Sequence, residues 1–166
     1  MLDGNGPDGS STSAAGVPVT IWVAERDDLD TASRLLSMYL DFYEVEPADP
    51  GRTKSFLAQR IARRDSLVLL ASAPEIGTVG FAQVYPGLST LELGVSWLLS
   101  DLFVAPDGRG RGVGGALVRE VVERAREEGA RSVHLETAYD NTPAQRLYEA
   151  EGFVRDPYHV YIRNVP

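Results

Sequence analysis

The chain has no cysteine, which excludes disulfide staples, thiolate metal ligands and a cysteine nucleophile. Its two histidines, His134 and His159, are far apart and lack paired carboxylate spacing, so no metal site is expected. Each is better read as a core or surface histidine than as a catalytic base. No run approaches the roughly 18 apolar residues that a membrane span needs, and no basic-then-apolar signal segment opens the chain. A cytoplasmic protein without a membrane role is the expectation. At 166 residues the chain suits one domain with a sizeable core.

Cationic charge is scarce at one end. Residues 1–50 carry ten acidic groups against Arg26 and Arg34, whereas residues 51–166 carry fourteen charges of each sign. The net charge of −8 therefore lies in the N-terminal third. An acidic face disfavours nucleic acid, which calls for a basic footprint, and suits a cationic partner. It also serves solubility alone.

Met1 to Gly16 is rich in Gly, Ser and Asp, lacks periodicity and is expected to be a disordered tail. A single domain is expected over residues 17–166. Val17 to Ala24 alternates like a strand, and Asp27-Asp28 opens a helix with Leu29, Leu36, Leu40 and Tyr43 near one face. A break with two prolines at 44–51 precedes a second helix from about Thr53 to Arg64. Strand signals follow at Leu67–Ala71, Thr78–Tyr85, more weakly at Leu91–Leu93, and at Trp97–Val104. A helix then spans Val113 to Glu128 with Gly129 as its stop. Ser132–Ala138 reads as a strand, Pro143–Glu151 as a short helix and Tyr158–Arg163 as a last strand. The order is β-α-α-β-β-β-α-β-α-β. In the short helix, Thr142 is expected as N-cap, Pro143 as the first helical residue and Gln145 as the partner in a capping box, leaving the Asn141 amide free.

Between the Leu102-Phe103-Val104 run and the long helix lies Asp107-Gly108-Arg109-Gly110-Arg111-Gly112-Val113-Gly114-Gly115. Four glycines in six positions make a poor first helical turn, at about 1 kcal/mol each relative to Ala. Two arginines sit badly at the positive end of a helix dipole. Bare amides, a helix N-terminus and guanidinium groups together describe a phosphate cradle; the competing explanation is tight helix–sheet packing. A Walker loop requires a GK[ST] ending, absent from Gly114-Gly115-Ala116. The dinucleotide pattern G-x-G-x-x-G fits Gly110, Gly112 and Gly115, with Glu136 at a ribose-binding distance. A meander of strands before the loop, and only about thirty residues after Glu136, argue against a dinucleotide-binding protein.

Residues 97–153 closely resemble the GCN5-related N-acetyltransferase (GNAT) superfamily. Its acyl-CoA signature, Q/R-x-x-G-x-G/A, falls on Arg109, Gly112 and Gly114. Its downstream Asn, Leu-Tyr-Glu and Gly-Phe fall on Asn141, Leu147-Tyr148-Glu149 and Gly152-Phe153. Within the superfamily, Gly80-Phe81-Ala82-Gln83-Val84-Tyr85, Asp-Leu-Phe-Val and Asn141-Thr142-Pro143 are similar to polyamine and thialysine acetyltransferases. The acidic pair usual before Phe-Val there reads Ser100-Asp101 here, so its first acid is absent.

The resemblance implies an acyl-CoA N-acyltransferase fold: mixed α/β (α+β), with a mostly antiparallel sheet flanked by helices. It implies transfer of an acetyl group from acetyl-CoA, without metal, to a primary amine, most simply a small cationic one. A non-catalytic acyl-CoA-binding sensor on the same fold is the alternative. The cofactor would meet the main chain of Leu102, Phe103 and Val104, the loop residues Arg109, Gly110, Arg111, Gly112, Val113, Gly114 and Gly115, and Asn141 and Ala144. Tyr148 is the candidate general acid for the departing thiolate, against simple packing beside Leu147. Asp101 is the best candidate base or ammonium anchor, as the only charge in an apolar strand; Glu92 and Glu136 are also plausible. Each acid has a solvated-carboxylate alternative. Asp41, Tyr43, Glu44 and Glu46 could attract a cationic acceptor, by charge and cation–π contact; Tyr43, Glu44 and Glu92 are the substrate-side candidates. Homodimers are common in the family, and the final strands could form one.

Overall fold

The computed structural model describes residues 10–12, 18–45 and 49–165. The elements are β1 (Ser10–Thr12), β2 (Pro18–Val23), α1 (Leu29–Phe42), α2 (Pro50–Arg63), β3 (Leu67–Ala73), β4 (Gly77–Ser89), β5 (Gly94–Val104), α3 (Val113–Glu127), β6 (Ser132–Leu135) and α4 (Thr142–Ala150). One six-stranded sheet runs in the order β1-β2-β3-β4-β5-β6. Every pairing is antiparallel except β5 with β6. The mixed, mostly antiparallel sheet flanked by helices is the architecture expected from the sequence.

Alternation decides which side of the sheet each residue serves. A Cβ on Gly80 would lie 2.8 Å from Val113 Cγ1 and 3.0 Å from Leu117 Cδ1, so the even positions of this part of β4 face α3. Ala82 and Val84 follow on that face, where they are buried along with Ala116, Leu117 and Val121 of α3. The odd positions Phe81, Gln83 and Tyr85 consequently face the opposite side, where Leu35 of α1 and Leu57 of α2 are also buried.

The β4–β5 ladder carries an irregularity that shapes everything downstream. Gln83 pairs with Asp101, but the next residue, Val84, pairs with Leu99, so Ser100 is an extra residue in β5. The parallel pairing of β5 with β6 ends at the same place, at Leu99↔Leu135. Beyond it β5 continues to Val104 with β4 on one edge and, among the described residues, no strand on the other.

Four expectations are corrected. Leu91–Leu93 is not a strand but the turn of a long β4–β5 hairpin; Leu93 has φ +50° and its amide bonds to Thr90 O. Tyr158–Arg163 is not a strand: Tyr158, Tyr161 and Ile162 are exposed, and the Asp156 side chain takes the Tyr158 amide (2.9 Å), a local bond that competes with a ladder. The strand expected over Ser132–Ala138 ends at Leu135. The buried stripe of α1 runs through Ala32 and Leu35 rather than ending on Tyr43, which is half exposed. Within the segment read as a tail, Ser10–Thr12 pair with Pro18–Thr20; the remainder of that segment lies outside the described residues.

Gly80 tests the packing of α3 on the sheet. The added methyl of Gly80→Ala would also fall 2.8 Å from the Ala71 Cβ, which the backbone of β3 fixes. The variant is expected to lose about 1–3 kcal/mol, read as a lower urea midpoint with an unchanged slope.

Candidate active site

Helix α3 begins without a side-chain cap. Gly112 is its N-cap residue at φ +78°, Gly110 stands at φ +73°, and Ala116 N to Gly112 O (3.0 Å) is the first helical bond. Positive φ is where glycine has no steric penalty, which accounts for these two positions. Gly114 and Gly115 have a different reason. A Cβ on Gly114 would meet Leu147 at 3.2 Å, and one on Gly115 would meet the Glu151 carboxylate at 2.7 Å. The packing explanation therefore holds for Gly114, against Leu147 of α4, whereas the near neighbour of Gly115 is the flexible end of the Glu151 side chain. The first-turn amides of α3 face no capping side chain, and such amides favour an anion.

These amides open into a cavity of about 630 Å³. The α3 loop forms one wall, with Arg109, Gly110 and Gly112 to Gly115. The unpaired edge of β5 forms the second, through Ser100 and Leu102 to Val104. Helix α4 forms the third, through Ala144, Leu147 and Tyr148, with Asn141 at its head. Tyr39, Phe42 and Tyr43 close the fourth side from α1. Arg109 ties two walls together: its Nε donates to Val104 O (3.0 Å) and its guanidinium lies 5.4 Å from the Phe42 ring.

Asn141 corrects the expected capping box. It is the N-cap of α4, its Oδ1 accepting from Ala144 N (3.3 Å), while Pro143 falls in the first turn. Gln145 does not reach back to Thr142; its Nε2 donates to Ala138 O and Tyr139 O, both at 2.9 Å. The Asn141 side chain, expected to be free, is thus committed to the cap through its oxygen.

Most of the residues named from sequence converge here, and some do not. Leu102, Phe103, Val104, Arg109, Gly110, Gly112, Val113, Gly114, Gly115, Asn141, Ala144, Tyr43, Tyr148 and Glu136 line the cavity. Arg111 is exposed and is not part of the wall. Glu44 is exposed at φ +53° just past Tyr43 and also lies off the wall, while Asp41 is exposed on the last turn of α1. Glu46 lies outside the described residues. Glu92 is elsewhere: it accepts from Ser132 Oγ (2.9 Å), which touches Ser96 Oγ (2.7 Å), itself 3.1 Å from His134 Nδ1. None of that network lines the cavity.

Asp101 does not line the cavity either, yet it is connected to it. Its charge acts on Tyr39, a wall residue that sequence reasoning missed. Burial first, then the Asp101 charge, pushes the Tyr39 phenol well above its ordinary value. Tyr39 also packs edge-on against Phe103 (6.0 Å) and Tyr43 (5.0 Å). Its i, i+4 spacing from Leu35 and Tyr43 was the available signal. Tyr148 is pushed up to about 12, first by burial and then by Tyr43. Among the described residues, no group of three or more His, Asp or Glu is placed to hold a metal, and no helix is long and apolar enough to cross a membrane.

Comparison with known proteins gives the same picture. The chain is 34% identical over 145 residues to the uncharacterized N-acetyltransferase YhfO of Bacillus subtilis (strain 168), covering 86% of this chain and 95% of that protein. A crystal structure of a probable acetyltransferase superposes with a TM-score of 0.82 at 33% identity, over 88% of this chain and 97% of that one. An aminoglycoside N-acetyltransferase solved with CoA shares the fold, with a TM-score of 0.75 at 19% identity over 91% of this chain and 97% of that one. Residues 32–153 match the sequence model of the acetyltransferase (GNAT) family, and with the loop, the parted strands and the cavity in place, the chain belongs to that family and is an N-acetyltransferase.

Proposed function

We propose that the protein acetylates a small primary amine carrying additional positive charge, a polyamine, a lysine-like amine or an aminoglycoside, with acetyl-CoA as donor and Tyr148 as the acid. The observation that carries this reading is one cavity lined by uncapped helix amides, an open strand edge and a half-buried phenol. Acetyl-CoA supplies the activated thioester. The residues present fit it: the α3 amides and Arg109 suit a diphosphate, and the free edge of β5 suits an extended amide-bearing arm. An edge N–H beside the bulge at Ser100 is suited to polarise the thioester carbonyl.

The acceptor side is aromatic and acidic. Tyr39, Phe42 and Tyr43 form a cluster of edge-to-face rings with Asp41 and Glu44 exposed beside it, a surface that attracts an ammonium group by cation–π contact and charge. The aminoglycoside acetyltransferase of the same fold handles an acceptor of similar chemistry.

Tyr148 works against a gradient. A phenol near 12 is about 5 kcal/mol too weak to hand its proton outright to a thiolate of roughly 8.5. It stabilises the developing negative charge on sulfur by a hydrogen bond, and full transfer accompanies return of a proton from the acylated nitrogen. Removing the hydroxyl in Tyr148→Phe is expected to lower kcat by about 10²–10⁴-fold with the Kd for CoA little changed, measured by thiol release and calorimetry. Because burial keeps this phenol protonated, kcat should show no fall assignable to Tyr148 between pH 7 and 10. An alkaline limb in that window that vanishes in Tyr148→Phe contradicts the assignment.

An acceptor screen tests the rest. Amines with two or more positive charges are expected to exceed neutral amines of similar size by at least about tenfold in kcat/KM, and the difference should shrink as salt rises. Equal rates for both groups remove the case for a cationic acceptor. Absence of thiol release with any amine, with CoA still bound, favours the sensor alternative.

A further inference from the structure

Two stretches of backbone are left without a ladder partner among the described residues: the outer edge of β6 and the segment beyond α4. β6 closes the sheet and pairs only with β5. It is a parallel strand, and such strands are normally covered on both sides. Val133 and Leu135 are nevertheless only half-buried, although they stand opposite the buried Trp97 and Leu99 and pack on the core. Beyond α4, Tyr158, Val160, Tyr161, Ile162 and Val165 are all exposed. Apolar side chains gathered in solvent in this way mark a surface that binds protein.

We propose that Tyr158–Arg163 of one copy of the chain adds as an antiparallel strand to the outer edge of β6 in a second copy, and that the exchange is reciprocal, giving a two-fold dimer. Alternation sets the faces. Val133 and Leu135 share the side of Trp97 and Leu99, whereas Ser132 and His134 point to the other side. In the segment, Tyr158, Val160 and Ile162 alternate with His159, Tyr161 and Arg163. Setting Ile162 opposite Val133 and Val160 opposite Leu135 covers the half-buried pair with apolar side chains. The same register sets Arg163 opposite Ser132, whose Oγ donates to Glu92 Oε2 (2.9 Å), so a guanidinium meets a carboxylate. A shift by two residues would bring His159 against His134 and leave Glu92 facing Tyr161.

The start of the segment accounts for a partner in another chain. Arg155 is held on α4 by Glu149 (3.0 Å) and Gln145 (3.1 Å), and the Asp156 side chain takes the Tyr158 amide (2.9 Å). Pro157 between them has no N–H to offer a ladder. Past this pinned turn the segment keeps both faces in solvent and forms no ladder with its own β6. A two-fold pair satisfies both edges and both segments at once. The β4–β5 hairpin arm extends the same surface: Arg131 N, just before β6, donates to Val95 O (2.8 Å), and the arm beyond presents Leu88, Leu91 and Leu93 almost wholly to solvent. Nothing in this pairing depends on the acetyltransferase reading of the cavity.

Sedimentation equilibrium of the full chain is the test, with a mass of twice 18.1 kDa expected. Ile162→Asp should raise the dissociation constant of the pair by about 10²-fold and leave a folded monomer, because Ile162 is exposed in the single chain. Arg163→Glu should raise it by about tenfold, and adding Glu92→Arg should restore most of that loss. The absence of cysteine gives a direct readout of register. When His134→Cys and Tyr161→Cys proteins are mixed and oxidised, a disulfide-linked dimer of one of each should form, well above the linking of either protein alone. A monomer at every concentration or a dimer indifferent to Ile162→Asp overturns the proposal. So does a chain carrying both cysteines that closes its disulfide within itself.

Discussion

The extra residue at Ser100 is the constraint on which the site depends. An antiparallel ladder that absorbs one additional residue twists and bends locally, and here the bend falls where β6 stops pairing with β5. Beyond it, Leu102 and Phe103 have no strand on that edge among the described residues, an arrangement normally met only at a sheet's outer edge. The cavity is the space left by that divergence, and the aromatic wall from α1 covers its open side.

Helix α3 supplies the second element, and its start shows how one short sequence meets several demands. Gly110 and Gly112 let the backbone turn through positive φ, while Gly114 lets Leu147 of α4 approach. The glycines alone thus do not prove a ligand. What distinguishes the loop is that no Ser, Thr, Asp or Asn caps the helix, so its amides are left for something else. The other three walls converge on that same point.

Much of this was readable in the residues. The long helix, its glycine stop and the glycine turn that opens it have strong local causes, namely periodicity, missing side chains and helix-end chemistry, and they occur where expected. Features that depend on partners distant in sequence were not readable. Leu91–Leu93 has strand-like composition but forms the turn, because the hairpin continues in register on either side of it. Tyr158–Arg163 has the composition of a strand, and composition forms a strand only against another backbone. Asn141 and Thr142 are both competent caps, and local chemistry does not choose between them. Tyr39 looked like one more aromatic on a helix; its interaction with the Asp101 charge joins residues 62 positions apart. Asp101 itself was recognisable as an anomalous charge in an apolar strand, but not that it would sit behind the wall.

Gly115 has a wider reach than its place in the loop. The Glu151 carboxylate occupies the space beside it, held by an ion pair with Arg119 of α3, and Glu151 is the residue that ends the helix bearing Tyr148. A side chain introduced there meets that ion pair first, so the first turn of α3 and the end of α4 share one clamp.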